Sequence, residues 1–208
     1  MITKLTPDWI RSVSEAHVTL DPTAFLSQPK EIGVHFRERI FYPAVLSHPQ
    51  SFVWIYKVGD RLAGYIVGTK DTSDFYQYLK SFRPFRLSLL IAKASLKNPK
   101  LLVQCFHLRR KFNQPSQEQF AAAEIISLGV LPEFRTKEFE QAAGTHVADH
   151  LFQKGIMSFK ELNVKKFQVS TIETNEPANI FYREHGCERA GTTRPFQVAC
   201  NVFVKNIS

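Results

Sequence analysis

The chain has 208 residues, 44% of them hydrophobic and 22% charged, which excludes a collagen-like chain, a heptad rod and a wholly disordered polypeptide. Lys and Arg exceed Asp and Glu by eight, so an anionic partner is expected, whether a phosphorylated small molecule, a membrane surface or a nucleic acid. Three cysteines with no close pair exclude a disulfide framework and a four-ligand zinc site.

Eighteen Phe supply enough apolar surface for a sizeable core. No apolar run approaches the roughly 20 residues that span a bilayer, and the first residues lack the basic-then-apolar pattern of a signal peptide. These features predict a cytoplasmic protein in a reducing compartment, monomeric or homodimeric.

In chain order, Ile2–Leu5 reads as a short edge strand, and Thr6-Pro7-Asp8 opens a helix. A second helix is expected from about Glu31 to Leu46, where Val34, Ile40, Phe41, Ala44 and Val45 recur at helical spacing. Two β-rich runs, Phe52–Lys57 and Leu62–Val67, flank Gly59-Asp60 as a hairpin. Residues 71–118 break this rhythm. Phe75–Phe82 forms an amphipathic turn or two ended by Arg83-Pro84. Helices at Leu87–Lys97 and Leu101–Lys111 follow, then the polar loop Asn113–Gln117.

This insertion carries nine Lys/Arg and only three acids, Asp71, Asp74 and Glu118. A solvated face, a lid over the acceptor pocket and a membrane or nucleic-acid surface all fit that charge. The first two rank above nucleic acid. Ala122–Val130 is strand-like and stopped by Pro132. A helix begins between Phe139 and Gly144 and ends near Asn163. Phe167, Val169 and Thr171 alternate as a strand, Pro177–His185 forms a short helix capped by Gly186, and Cys187–Ala190 with Phe196–Val204 complete the sheet. The order β-α-α-β-β-(insertion)-β-α-β-α-β-β defines an α/β domain with a largely antiparallel sheet and one βαβ crossover.

The most specific stretch runs from Asn175 to Cys187, between two strands. Singly its residues have ordinary readings: Tyr182 as a core aromatic, Asn175 as a helix N-cap. Together they resemble the motif N-x-x-A-x-x-F-Y-x-x-x-G-F of the GNAT superfamily of acyl-CoA N-acyltransferases. The match falls on Asn175, Ala178, Phe181, Tyr182 and Gly186, with Cys187 in place of the usual Phe. Ala123–Pro132 is similar to the family's fourth strand and the V-x-P that ends it.

The resemblance implies a GNAT-like mixed sheet of six to seven strands flanked by helices. It implies one domain over residues 1–208, with the helical insertion (about 71–118) between strands 3 and 4. It further implies an acetyl-CoA-dependent N-acetyltransferase acting on a primary amine, a small molecule whose negative charge the basic insertion would favour.

An alkylamine with a pKa of ~10 is mostly protonated at neutral pH and needs a base. Glu124, six residues before Val130 and otherwise a solvent-facing strand residue, is the family-implied base, and Tyr182 the family-implied acid for the departing thiolate. Backbone groups of Leu128, Gly129 and Val130, beside a bulge near Gly129, would hold the oxyanion and the pantetheine arm. Asn175 and Ala178 complete that wall.

The departure is at the pyrophosphate loop, usually [Q/R]-x-x-G-x-[G/A] before a helix. Starting at Arg135 puts Glu138 and Glu140 at the glycine positions, where they would repel a diphosphate. Starting at Gln141 keeps Gly144, and starting at Ala143 gives His146 and Ala148. Both later registers give Gly144, Thr145, His146, Val147 and Ala148 as the anion-binding amides, with Pro132–Glu140 an elongated loop. A decayed loop would instead make the chain a GNAT-fold binding or regulatory module. His146 and His150 share a helix face, but no third ligand is apparent and no metal site is expected. Cys105, Cys187 and Cys200 read as buried packing.

Overall fold

The computed structural model describes residues 1–21, 29–97, 120–144, 146–194 and 198–207. The expected helix over Leu101–Lys111, the loop Asn113–Gln117, Cys105, Thr145 and Phe196 lie outside them. Strand β1 (Ile2–Lys4) is followed by a 3-10 turn (Pro7–Trp9), α1 (Ile10–Leu20), α2 (Lys30–Phe36) and α3 (Tyr42–Ser47). The hairpin β2 (Ser51–Val58) and β3 (Arg61–Thr69) turns at Gly59, whose φ of 57° suits glycine. Next come α4 (Thr72–Ser81) and α5 (Pro84–Lys97), the described part of the insertion. The remainder is β4 (Ala123–Val130), α6 (Lys137–Ala143), α7 (Val147–Glu161), β5 (Lys166–Ile172), α8 (Glu176–Glu184), β6 (Glu188–Thr193) and β7 (Cys200–Asn206).

The seven strands form one sheet in the order β1-β2-β3-β4-β5-β7-β6. Every neighbouring pair is antiparallel except β4–β5. The parallel pair requires a crossover, which α6 and α7 provide. Two cores cover the two faces. On one, α1 to α5 bury Val13, Phe36, Ile40, Tyr42, Phe75 and Leu90. On the other, α7 and α8 bury Leu151, Phe152, Phe159 and Tyr182 against Ile66, Ile125 and Phe203. Among the described residues, no helix is long and apolar enough to cross a membrane.

Three expectations need correction. The helix expected over 31–46 is interrupted by a π-helical turn at Arg37–Phe41. Pro43 has no N–H to give the carbonyl of Arg39, so the regular ladder fails there. Arg83 Nη1 donates to that carbonyl instead, at 3.1 Å. The long helix after β4 begins at Val147, later than expected. A short α6, which overlaps the end of the loop expected over Pro132–Glu140, comes first and is ended by Gly144 at φ 63°. Finally, the β4 bulge lies at Ile126 rather than near Gly129, because Val67 pairs with Ser127 and Gly68 with Ile125.

Candidate active site

The site lies where β4 and β5 separate. Their pairing covers only Ala123–Phe167, Glu124–Gln168 and Ile125–Val169. Beyond Ile125, β4 continues against β3 alone. Leu131 N–H donates to Ala63 of β3 at 2.8 Å. Strand alternation therefore turns the backbone groups of Val130 and Leu128 away from β3, into the opening, and turns those of Gly129 toward β3. Arg135 Nε already donates to the Val130 carbonyl. A side chain at Gly129 would meet Leu20 at 2.8 Å and Tyr65 at 2.9 Å, so its glycine lets α1 and Tyr65 pack directly on β4.

The bulge decides which way Glu124 points. Six residues before Val130, it would share that residue's face in a regular strand. The extra residue reverses the parity. Leu128 and Val130 pack with the α7–α8 core, while Glu124 faces α4 and accepts from Thr72 Oγ1 at 3.0 Å. Gln168, its partner across β5, accepts from the N–H groups of Phe120 and Ala121 at 3.1 Å each. That leaves the Gln168 amide N–H to bond the Glu124 carboxylate. Burial pushes the Glu124 carboxyl above the usual carboxylate range, and the bonds from Thr72 and Gln168 draw it partly back. Tyr76, one turn after Thr72 on α4, is raised mainly by burial and further by the charge of Glu124.

Sequence reasoning missed the polar cluster beside this carboxylate. Tyr65 and Ser127 share a hydrogen bond of 3.0 Å, His17 bonds Tyr42 at 2.9 Å and stacks on Tyr65, and Arg37 is buried among them. Burial, then the nearby Arg37 charge, holds His17 well below its usual pKa. The residues come from α1, the π turn, α3, β3 and β4. The only sequence signal was a polar or aromatic residue at a core position of each.

Tyr182 stands on the opposite face, buried between Phe152, Phe181 and Phe203. Its hydroxyl has no hydrogen bond among the described residues. Burial raises the phenol far above its usual pKa, with smaller contributions from Cys187 and Tyr65. Asn175 caps α8 by accepting from Ala178 N–H at 3.3 Å, and Ala178 packs on the α7–α8 core.

The buried polar residue of the motif is instead Asn179. Its amide donates to the carbonyls of Ile172, Glu173 and Asn175, and its oxygen accepts from Asn201 at 2.8 Å. It ties α8 to the end of β5. Cys187 and Cys200 are buried, and burial pushes the Cys187 thiol up to about 11.

A depression of about 380 Å³ before α7 is lined by Lys137, Glu140, Gln141, Gly144 and His146. His146 precedes the helix and pairs with Glu140 at 2.9 Å. Val147 is buried and Ala148 half-buried behind it. The N–H groups of the first turn are those that a helix leaves without internal partners. His150 turns away against Tyr56, so it does not converge with His146 on a common ligand.

No family model matches the chain, and no curated protein does. Solved structures do. An N-acetyltransferase from Staphylococcus aureus Mu50 superposes with a TM-score of 0.66 at 15% identity, covering 99% of this chain and 100% of that one. Ard1 from Thermoplasma volcanium gives 0.59 at 14% identity over 100% and 97% of the two chains. Arabidopsis thaliana NAA60, in complex with acetyl-CoA, gives 0.58 at 14% over 100% and 98%. The chain thus has the fold of the GNAT superfamily of acetyltransferases.

Proposed function

We propose that the protein is an acetyl-CoA-dependent N-acetyltransferase, one domain over residues 1–208, acting on a primary amine by direct attack. The observation that carries this reading is the opening of β4 from β5 between a raised carboxylate on one face and a buried phenol on the other. The residues fit acetyl-CoA: the N–H groups of Leu128 and Val130, turned away from β3, suit an extended amide chain added as a strand, and the first turn of α7 suits a diphosphate.

Glu124, held between Thr72 and Gln168, takes the proton of the incoming ammonium, directly or through water. Its raised pKa narrows the gap to the amine. The N–H groups facing the opening donate to the developing oxyanion. Tyr182 keeps its proton at neutral pH and donates it toward the departing thiolate.

Calorimetry with acetyl-CoA, followed by a screen of acceptor amines for release of the CoA thiol, tests this. Binding with turnover of at least one amine supports it. Binding without turnover across amine classes supports a binding or regulatory module. No binding at millimolar acetyl-CoA overturns the acetyltransferase reading and favours the binding or regulatory module with a decayed CoA loop.

A further inference from the structure

α5 is apolar on two sides. Leu87, Leu90 and Ile91 pack into the core beside α1 to α4. Away from them, Phe85, Leu89, Ala92 and Leu96 follow i, i+4, i+7, i+11, which holds them in one stripe about 60° wide. That stripe faces outward: Phe85 is 80% exposed, Leu89 48% and Leu96 87%. A helix of an ordinary single-faced domain carries polar residues there.

The charge beside the stripe is one-sided. Arg86 and Lys93, seven residues apart, run along one edge and are exposed. Neither makes an ion pair among the described residues. From Phe75 to Gln117 the sequence has nine Lys/Arg and no Asp or Glu. The preceding acid, Asp74, is engaged by His48 at 3.1 Å. Nothing in this stretch of sequence neutralises the row.

We propose that α5 docks the protein peripherally on an anionic lipid surface. Phe85, Leu89 and Leu96 enter the boundary between headgroups and acyl chains, about 5–10 Å deep, while Arg86 and Lys93 meet the headgroup phosphates and carboxylates. The charge complementarity selects this occupant. An antiparallel two-fold contact with a second copy would set each basic row near its own equivalent without an acid between them. Nucleic acid would meet the basic row but find no use for an aliphatic stripe.

The test is co-sedimentation of the full chain with phosphatidylcholine vesicles, with and without phosphatidylserine, across a salt series. The chain should partition onto the phosphatidylserine vesicles and not onto the neutral ones. Arg86→Gln with Lys93→Gln should weaken partition by about fivefold per residue. Phe85→Ser with Leu96→Ser should weaken it on the order of tenfold or more and leave a remainder that salt removes completely. Both pairs are exposed, so unchanged melting is expected. The wild-type salt series, which should keep a salt-resistant fraction, reports on the apolar contact even where a variant melts early. The proposal fails if phosphatidylserine vesicles capture nothing at low salt, or if salt removes all wild-type binding. It also fails if the serine variant partitions like wild type. A dimer abolished by the serine pair, or full displacement by a single-stranded RNA oligonucleotide, would assign the surface to those partners and overturn it.

Discussion

The two faces of the β4–β5 opening are built in opposite ways. On the α7–α8 side, Tyr182 stands among rings packed edge-on and tilted, with Phe152 touching Phe167, Phe181, Tyr182 and His185. On the α1–α5 side, Glu124 is bonded by Thr72 of α4 and Gln168 of β5 and stands near Tyr76, one turn further along α4. The first face holds its functional group by shape, the second by hydrogen bonds and charge. Damage should therefore appear as lost stability on one side and as altered titration on the other.

The strongest break of that contrast is Phe152→Ala. It removes the hub of the aromatic face, and the variant should lose about 3–5 kcal/mol of stability in denaturant titration. A loss below 1 kcal/mol would mean that shape does not hold this side.

Glu124→Gln should leave the fold intact and lower kcat/KM by about 10²–10³ at neutral pH, with partial recovery where the amine deprotonates unaided. It should also melt above wild type at neutral pH. The folded carboxyl binds its proton more tightly than the unfolded one, so its burial penalty appears as pH rises through the unfolded value of ~4.3 and is complete above the folded value. The gain should vanish in acid. A pH–rate profile parallel to wild type would remove Glu124 from the base role.

Tyr182→Phe keeps the ring in its aromatic socket and removes only the proton donor. Turnover should fall on the order of 10- to 100-fold with acetyl-CoA affinity nearly unchanged. Equal losses in both would make Tyr182 a packing residue.

The smallest effect sharpens the comparison most. Thr72→Val deletes one hydrogen bond to the carboxylate. Neutral-pH turnover should fall by less than about tenfold, while the acidic limb of the pH–rate profile moves upward because the charged form has lost a donor. An unmoved limb would show that α4 does not tune the base.

Local chemistry in the sequence determined much of this protein. The hairpin at Gly59, the cap at Asn175 and the strand stop at Pro132 follow from residues a few positions apart, and so does the placing of Tyr182 on α8. The tertiary structure decided what depends on distant partners. The bulge at Ile126 arises from the register of β4 against β3, and it alone turns Glu124 toward α4. The π turn follows from Pro43 withholding a donor from Arg39, but its consequence, the guanidinium of Arg83 on that carbonyl, needed a residue 44 positions away. The start of α7 at Val147 rather than between Phe139 and Gly144 rests on Gly144 taking a left-handed conformation. Sequence carries periodicity and capping, which are local. It does not carry the pairing of one strand with another, and a shift of a single residue there reverses every side chain that follows.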